Sequence, residues 1–350
     1  MSENSELEEH PAEQARRYLK KDFRDGPLGR WERFRRNVKA ELRVDVYSFL
    51  GRLPPGDRDP VLIEMEEGRG QREVKSLFLI KREGRGVEDL MDDLPKEVKV
   101  FVGDSFGFDK INGELKIGQD SIGGLGGLRI LEHDWAILIF FHELAHAERR
   151  IRMIQENFPG FLEQISIDMD YFLVGAVDDA ATIQEIIPTV TSGEPFFSFS
   201  TSNLIEGFKK EYAEQIRKLD PFFERLKLPN MDDYRKVAEK WTRDNIERIS
   251  SEEYRQLLTS TPDRLVELER LRKERHLLRF SEEVECWNRA RKMKKEKEKK
   301  GFTIVGVNDE MLNQYVQLCL ATYSSGSEQA TSTYKSVLSR YEKARKQPAA

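Results

Sequence analysis

The chain has 350 residues, 38% of them hydrophobic and 35% charged, with a formal net charge of −5. That length allows one large domain or two ordinary ones, and the balance describes a surface-rich, helix-heavy chain with enough apolar content for a core. The mild negative charge supplies no overall basic field for nucleic acid, and two cysteines, Cys286 and Cys319, are too few for a disulfide framework or an all-thiolate metal site.

Residues 1–10 read as a disordered acidic tip, and residues 1–55 together as an N-terminal helical segment. Tyr18, Phe23, Trp31, Phe34, Val38 and Leu42 recur there at helical spacing among arginines and lysines. This predicts an amphipathic helix docked on a C-terminal bundle rather than a nucleic-acid arm. The N-terminus has no apolar stretch of the kind a secretory signal needs, and the longest apolar run, WAILIFF, is too short to span a bilayer. With so few cysteines, the expected location is the cytoplasm, with no membrane partner.

After the break at GRLPPGDRDP, short β-branched or alternating runs at 61–65, 74–80, 98–104 and 114–120 predict strands. IGGLGGL (122–128) reads as a flexible loop, without the lysine or spacing of a phosphate-binding loop. From Leu131 the pattern turns helical. One helix is predicted over 131–154, others over 161–187, 203–218, 231–258, 262–300, 308–323 and 330–345, with an aromatic loop at 192–202. The predicted plan is α+β: a small twisted sheet with its helix over 56–155, then a large, mostly helical part over 156–350.

The run ILIFFHELAHAERR (137–150) holds two of the five histidines in the chain. On a helix, His142 and His146 leave the same face one turn apart, close enough to share one Zn²⁺ at about 2.0–2.1 Å from each. Glu143, about 100° further round, is placed to act as general base on a water held by the metal. In a chain this poor in histidine, a chance H-E-x-x-H is expected on the order of once in a hundred sequences. A buried histidine pair without ligand role is the bland alternative.

FFHELAHAERR following GELKIGQDSIGG resembles the zincin metallopeptidases, over roughly residues 60 to 150. The resemblance implies a twisted sheet whose edge strand, near 114–119, holds an extended peptide, with His142 and His146 as zinc ligands and Glu143 as catalytic base. The metzincin branch is excluded, because Arg149 and Arg152 stand where its glycine and third histidine would be. Thermolysin-like spacing falls on Ser166, with Glu163 slightly early. SEEVECWNRARKM is similar to the ligand-bearing helix of compact intracellular bacterial gluzincins, which implies Glu283 as third ligand across a long insertion. Glu282, Glu285, Asp178, Asp179 and Glu185 stay open as alternatives. The stripe His276, Phe280, Glu283, Trp287 and Ala290 turns Glu283 inward and offers His276 as a stabiliser of the oxyanion, with Tyr323 as a weaker candidate. His133 and His10 are not expected at the site. The expected function is zinc-dependent peptide-bond hydrolysis on a peptide or protein substrate. The alternatives are a regulatory or binding protein on a zincin scaffold with a metal site but little peptidase activity, and a metal hydrolase acting on a non-peptide bond. The sequence leaves the oligomeric state open.

Overall fold

Alternation and β-branching produce strands where the sequence places them, and four more besides. The computed structural model describes residues 58–67, 72–81, 86–125, 128–131, 135–186, 201–228, 230–304 and 309–323. The N-terminal helical segment, nearly all of the aromatic loop at 192–202, the helix expected at 330–345, and His10 and His133 lie outside them.

The strands are β1 (Val61–Glu67), β2 (Arg72–Ile80), β3 (Val87–Asp89), β4 (Lys99–Gly103), β5 (Gly107–Asp109), β6 (Glu114–Gly118), β7 (Ile122–Leu125) and β8 (Leu128–Leu131). They form one sheet in the order β5-β6-β4-β2-β1-β8-β7, with β3 also on β2. Three expectations change here. Most of the glycine run is not a loop: β7 and β8 pair antiparallel, with Ile122 opposite Leu131 and Leu125 opposite Leu128. Leu131 therefore ends a strand, and the motif helix starts at Ala136. Nor is β6 the edge strand expected to hold a peptide, since β4 and β5 flank it and β5 forms the edge.

The helices are α1 (Ala136–Glu156), α2 (Phe158–Ile186), α3 (Thr201–Leu226), α4 (Met231–Ser250), α5 (Glu252–Thr259), α6 (Thr261–Lys299) and α7 (Asp309–Tyr323). The fold is α+β, as predicted. The single helix expected over 231–258 is two, because Ser251 is extended and its hydroxyl accepts from the Tyr254 amide as an N-cap. Among the described residues no helix is long and apolar enough to cross a membrane.

The chain divides into two compact units, not after residue 155 but within α1, between Phe141 and His142. The first takes residues up to 107, 115–141 and 292–306. Its core is the inward side of β1 and β2 with Ile137, Leu138, Phe140 and Phe141. Lys297, only 3% exposed, is held there by Glu88 at 2.8 Å and Asp93 at 2.6 Å. The second takes 108–114, 142–291 and 307 onward. Its core gathers Leu173, Val174, Ile205, Tyr212, Ile249 and Leu271. Asp170 of α2 ties two further helices there, accepting from Tyr212 (2.8 Å) and from Arg248 (2.7 Å).

The β5–β6 turn belongs to this second unit and carries residues next to the motif. The Asp109 carboxylate accepts from the amides of Ile111 and Asn112, both at 3.0 Å, and Gly113 closes the turn at φ +63°. A Cβ on Gly113 would lie 2.4 Å from the Phe222 ring. Gly113→Ala is therefore expected to lower stability by about 2–3 kcal/mol, from left-handed strain and overpacking together. An unchanged urea midpoint would contradict this account of the turn.

Candidate metal centre

The apolar residues of α1 fix which face is buried, and the two histidines lie on that face. Their rings meet edge to face with centroids 4.6 Å apart, and the two Nε2 atoms are 3.1 Å apart. Glu283 of α6 reaches both, with Oε2 3.1 Å from His142 Nε2 and Oε1 3.4 Å from His146 Nε2. All three side chains are buried, and their ligand atoms form the one such cluster among the described residues. A tetrahedral ion with ligands at about 2.0–2.1 Å separates its ligand atoms by roughly 3.3 Å. The observed spacings bracket that value. Two imidazole nitrogens and one carboxylate fit a divalent cation with a fourth position left open.

Glu282, expected further round the helix, is also buried and has a different task. Its Oε1 lies 2.9 Å from His146 Nδ1, and its Oε2 accepts from Lys110 at 2.8 Å. His146 thus has a carboxylate on each ring nitrogen. His142 is held otherwise: its ring stacks on Trp287 at 4.0 Å, and its buried Nδ1 has no hydrogen-bond partner among the described residues. Trp287 in turn meets the edge of Tyr315 on α7.

Ion pairs on the rim set the register of α1 against α6. Glu285 takes Arg149 at 2.9 Å and also Arg152, while Arg289 spans Glu148 at 2.7 and 2.9 Å. Small residues, Ala145 and Cys286, line the gap between these pairs.

The charges follow from this packing. Burial opposes the imidazolium of His146, but contacts with Cys286, Glu282 and Glu283 outweigh it and push its pKa up to about 12 in the metal-free protein. Burial raises Glu283, yet the hydrogen bonds from His142 and His146 prevail and hold it near about 2. Glu282 is likewise depressed, by His146 and Lys110 against burial. Glu143 moves the other way. Burial raises it and the Glu283 charge adds to this, while His146, His142 and the Phe108 backbone amide oppose. A half-buried carboxylate with a raised pKa, one residue from His142, is a stronger base than an ordinary glutamate.

The other candidates are elsewhere. Glu285 is committed to Arg149 and Arg152, Asp178 pairs with Arg264 at 3.0 Å, and Asp179 is exposed. The side chains of Glu185 and Tyr323 lie outside the described residues. His276 is half-buried beside Phe280, two helical turns from Glu283 and so about 10 Å along the axis. The structure does not bring it to the triad. Sequence reasoning missed Glu282 as a histidine partner, together with Lys110 and Cys286. The adjacent glutamates of SEEVECW were the visible signal for the first. No known protein family, curated protein or solved structure matches the chain.

The metal-free protein is expected to keep His146 doubly protonated through pH 9, visible as two imidazole N–H signals by ¹⁵N NMR; a titration near 6.5 would overturn the assignment. Because this pKa is raised from 6.5, its contribution to stability is whole below pH 6.5 and fades as pH climbs toward about 12. Stability of the metal-free form should accordingly fall on the alkaline side, and less steeply in Glu282→Gln/Glu283→Gln.

Proposed function

We propose that the chain is a zinc-dependent metallopeptidase of the gluzincin type, with Zn²⁺ on His142, His146 and Glu283 and with Glu143 as general base. One observation carries this reading: two imidazole nitrogens and a carboxylate converge at tetrahedral spacing, with a second carboxylate of raised pKa beside them. Zinc bound there would supply a Lewis acid that polarises water and the substrate carbonyl.

The residues of the chain do the remainder. Glu143 takes a proton from the attacking water at its carboxylate and delivers it to the leaving amine nitrogen as the C–O bond forms and the C–N bond breaks. Glu282 accepts the Nδ1 proton of His146, which fixes the tautomer that turns the Nε2 lone pair toward the metal. The substrate is a peptide laid as an added strand on β5, whose Phe108 amide bears on Glu143. Free thiols at Cys286 and Cys319 fit a cytoplasmic setting.

A regulatory or binding protein on the same scaffold is the second reading. What favours it is the three-residue length of β5, which pairs with little of a peptide. What opposes it is Glu143, since a purely structural ion needs no base.

Elemental analysis of four purified proteins separates these readings from a chance motif. One zinc per chain is expected in wild type and Glu143→Gln, none in His146→Ala, and at least tenfold weaker binding in Glu283→Ala. Against a peptide library, Glu143→Gln should lose a factor of about 10²–10⁴ in kcat with its zinc retained. A wild type that takes up no added zinc would sink both readings, whereas full loading without turnover would leave the binding protein. Calorimetry in buffers of different ionisation enthalpy should show about one proton released per zinc bound at pH 7, the proton of His146; zinc uptake with no proton released would contradict the charge assignment.

A further inference from the structure

The second unit contains a cavity of about 530 Å³ that the proposed chemistry does not use. Its apolar wall comes from Ile165, Met169 and Phe172 of α2, Phe208 of α3 and Leu278 of α6. Four cations also line it, and three of them are paired: Lys110 with Glu282, and Arg275 and Arg279 with Asp168. The fourth, Arg150, is not. It is only 8% exposed, its guanidinium lies 3.4 Å from the Phe161 ring centroid, and its Nε donates to the Lys110 carbonyl at 3.1 Å. Its Nη1 and Nη2 have no partner among the described residues. Burial lowers its pKa to about 9 and the Arg149 charge adds to this, while Glu282, Asp168 and Asp109, which also line the cavity, favour the charged form without pairing with it.

The geometry points to this cavity as a binding site for a small amphipathic carboxylate, its head on the two unpartnered nitrogens of Arg150 and its apolar body along Phe172, Phe208 and Leu278. A guanidinium fork takes a carboxylate through two parallel hydrogen bonds, and a cavity of this volume suits an acyl chain or a single apolar amino-acid side chain. The site is not the substrate position of the metal centre. Glu282, which the two share, faces the Nδ1 side of His146, while the triad converges at Nε2. The inference does not rest on the metallopeptidase reading, since it concerns the metal-free chain equally.

The test titrates octanoate, octan-1-ol, acetate and N-acetylphenylalanine into the full metal-free chain at pH 7, followed by NMR and calorimetry. Octanoate or N-acetylphenylalanine is expected to bind at least tenfold more tightly than either octan-1-ol or acetate, and the tighter acid tells whether the body is an acyl chain or an amino-acid side chain. Arg150→Gln should bring octanoate down to the level of octan-1-ol. Phe172→Ala, half-exposed at the wall, should weaken octanoate while leaving acetate unchanged. If Arg150→Gln does not fold, the octanoate to octan-1-ol ratio in wild type decides. No binding of either acid at millimolar concentration, a ratio near one, or undiminished octanoate binding by folded Arg150→Gln would overturn the proposal.

Discussion

Four ionisable side chains, His142, His146, Glu282 and Glu283, are buried where α1 meets α6, and the geometry of the second unit depends on their satisfying one another. Each would carry a penalty of several kcal/mol if left charged and alone in that setting. Together they form one network, from Lys110 through Glu282 and His146 to Glu283 and His142. That requirement fixes the rotation of α6. A change of one residue turns a helix face by about 100° and would carry both carboxylates off the histidines. The ion pairs of Glu285 and Arg289 are more exposed and individually weak, but they favour the same register from outside.

The two histidines are held by different physics, and this bears on what can sit between them. His146 is gripped electrostatically, with a carboxylate on each nitrogen, so without a metal the energetically favoured occupant is a proton. His142 is gripped by stacking on Trp287, and its Nδ1 takes no hydrogen bond among the described residues. A cation at the triad would therefore have to displace a proton from one nitrogen, His146 Nε2, while the His142 ring is oriented by stacking.

The features that came through from sequence are those carried by local periodicity. β1, β2, β4 and β6 follow from alternation, and the placement of His142 and His146 follows from a four-residue spacing. Glu283, Trp287 and Ala290 share a buried stripe as their spacing implies. The same stripe fails one turn earlier, where Phe280 is 37% exposed and His276 is only half-buried, although α6 is buried again further back at Leu271 and Arg264. Glu282 was illegible for a related reason. Helical phase alone points it away, and only the reach of Lys110 and His146, from two other elements, turns it into a buried partner. The pairing of β8 with β1 and the position of β5 at the sheet edge are non-local facts. Glycine content suggests freedom, whereas strand pairing is decided by neighbours distant in sequence.

Stability alone gives no reason for what is gathered here. Replacing a buried ion network with apolar side chains of similar volume is commonly neutral or stabilising, and a lone buried guanidinium is worse placed still. The second unit holds both, within reach of one another, with Glu282 forming part of each. Elsewhere in the same unit two buried charged groups are closely matched: Asp170 finds Tyr212 and Arg248, and Arg264 finds Asp178 and the Leu258 carbonyl. Buried side-chain atoms without a hydrogen-bond partner among the described residues of this unit include His142 Nδ1 at the triad, Trp287 Nε1 on the ring stacked against it, Tyr254 Oη, Arg291 Nε and Gln314 Oε1. What sets the triad apart is convergence rather than mere lack of partners: two Nε2 atoms and a carboxylate meet at the spacing a tetrahedral cation needs, an arrangement that packing alone does not require.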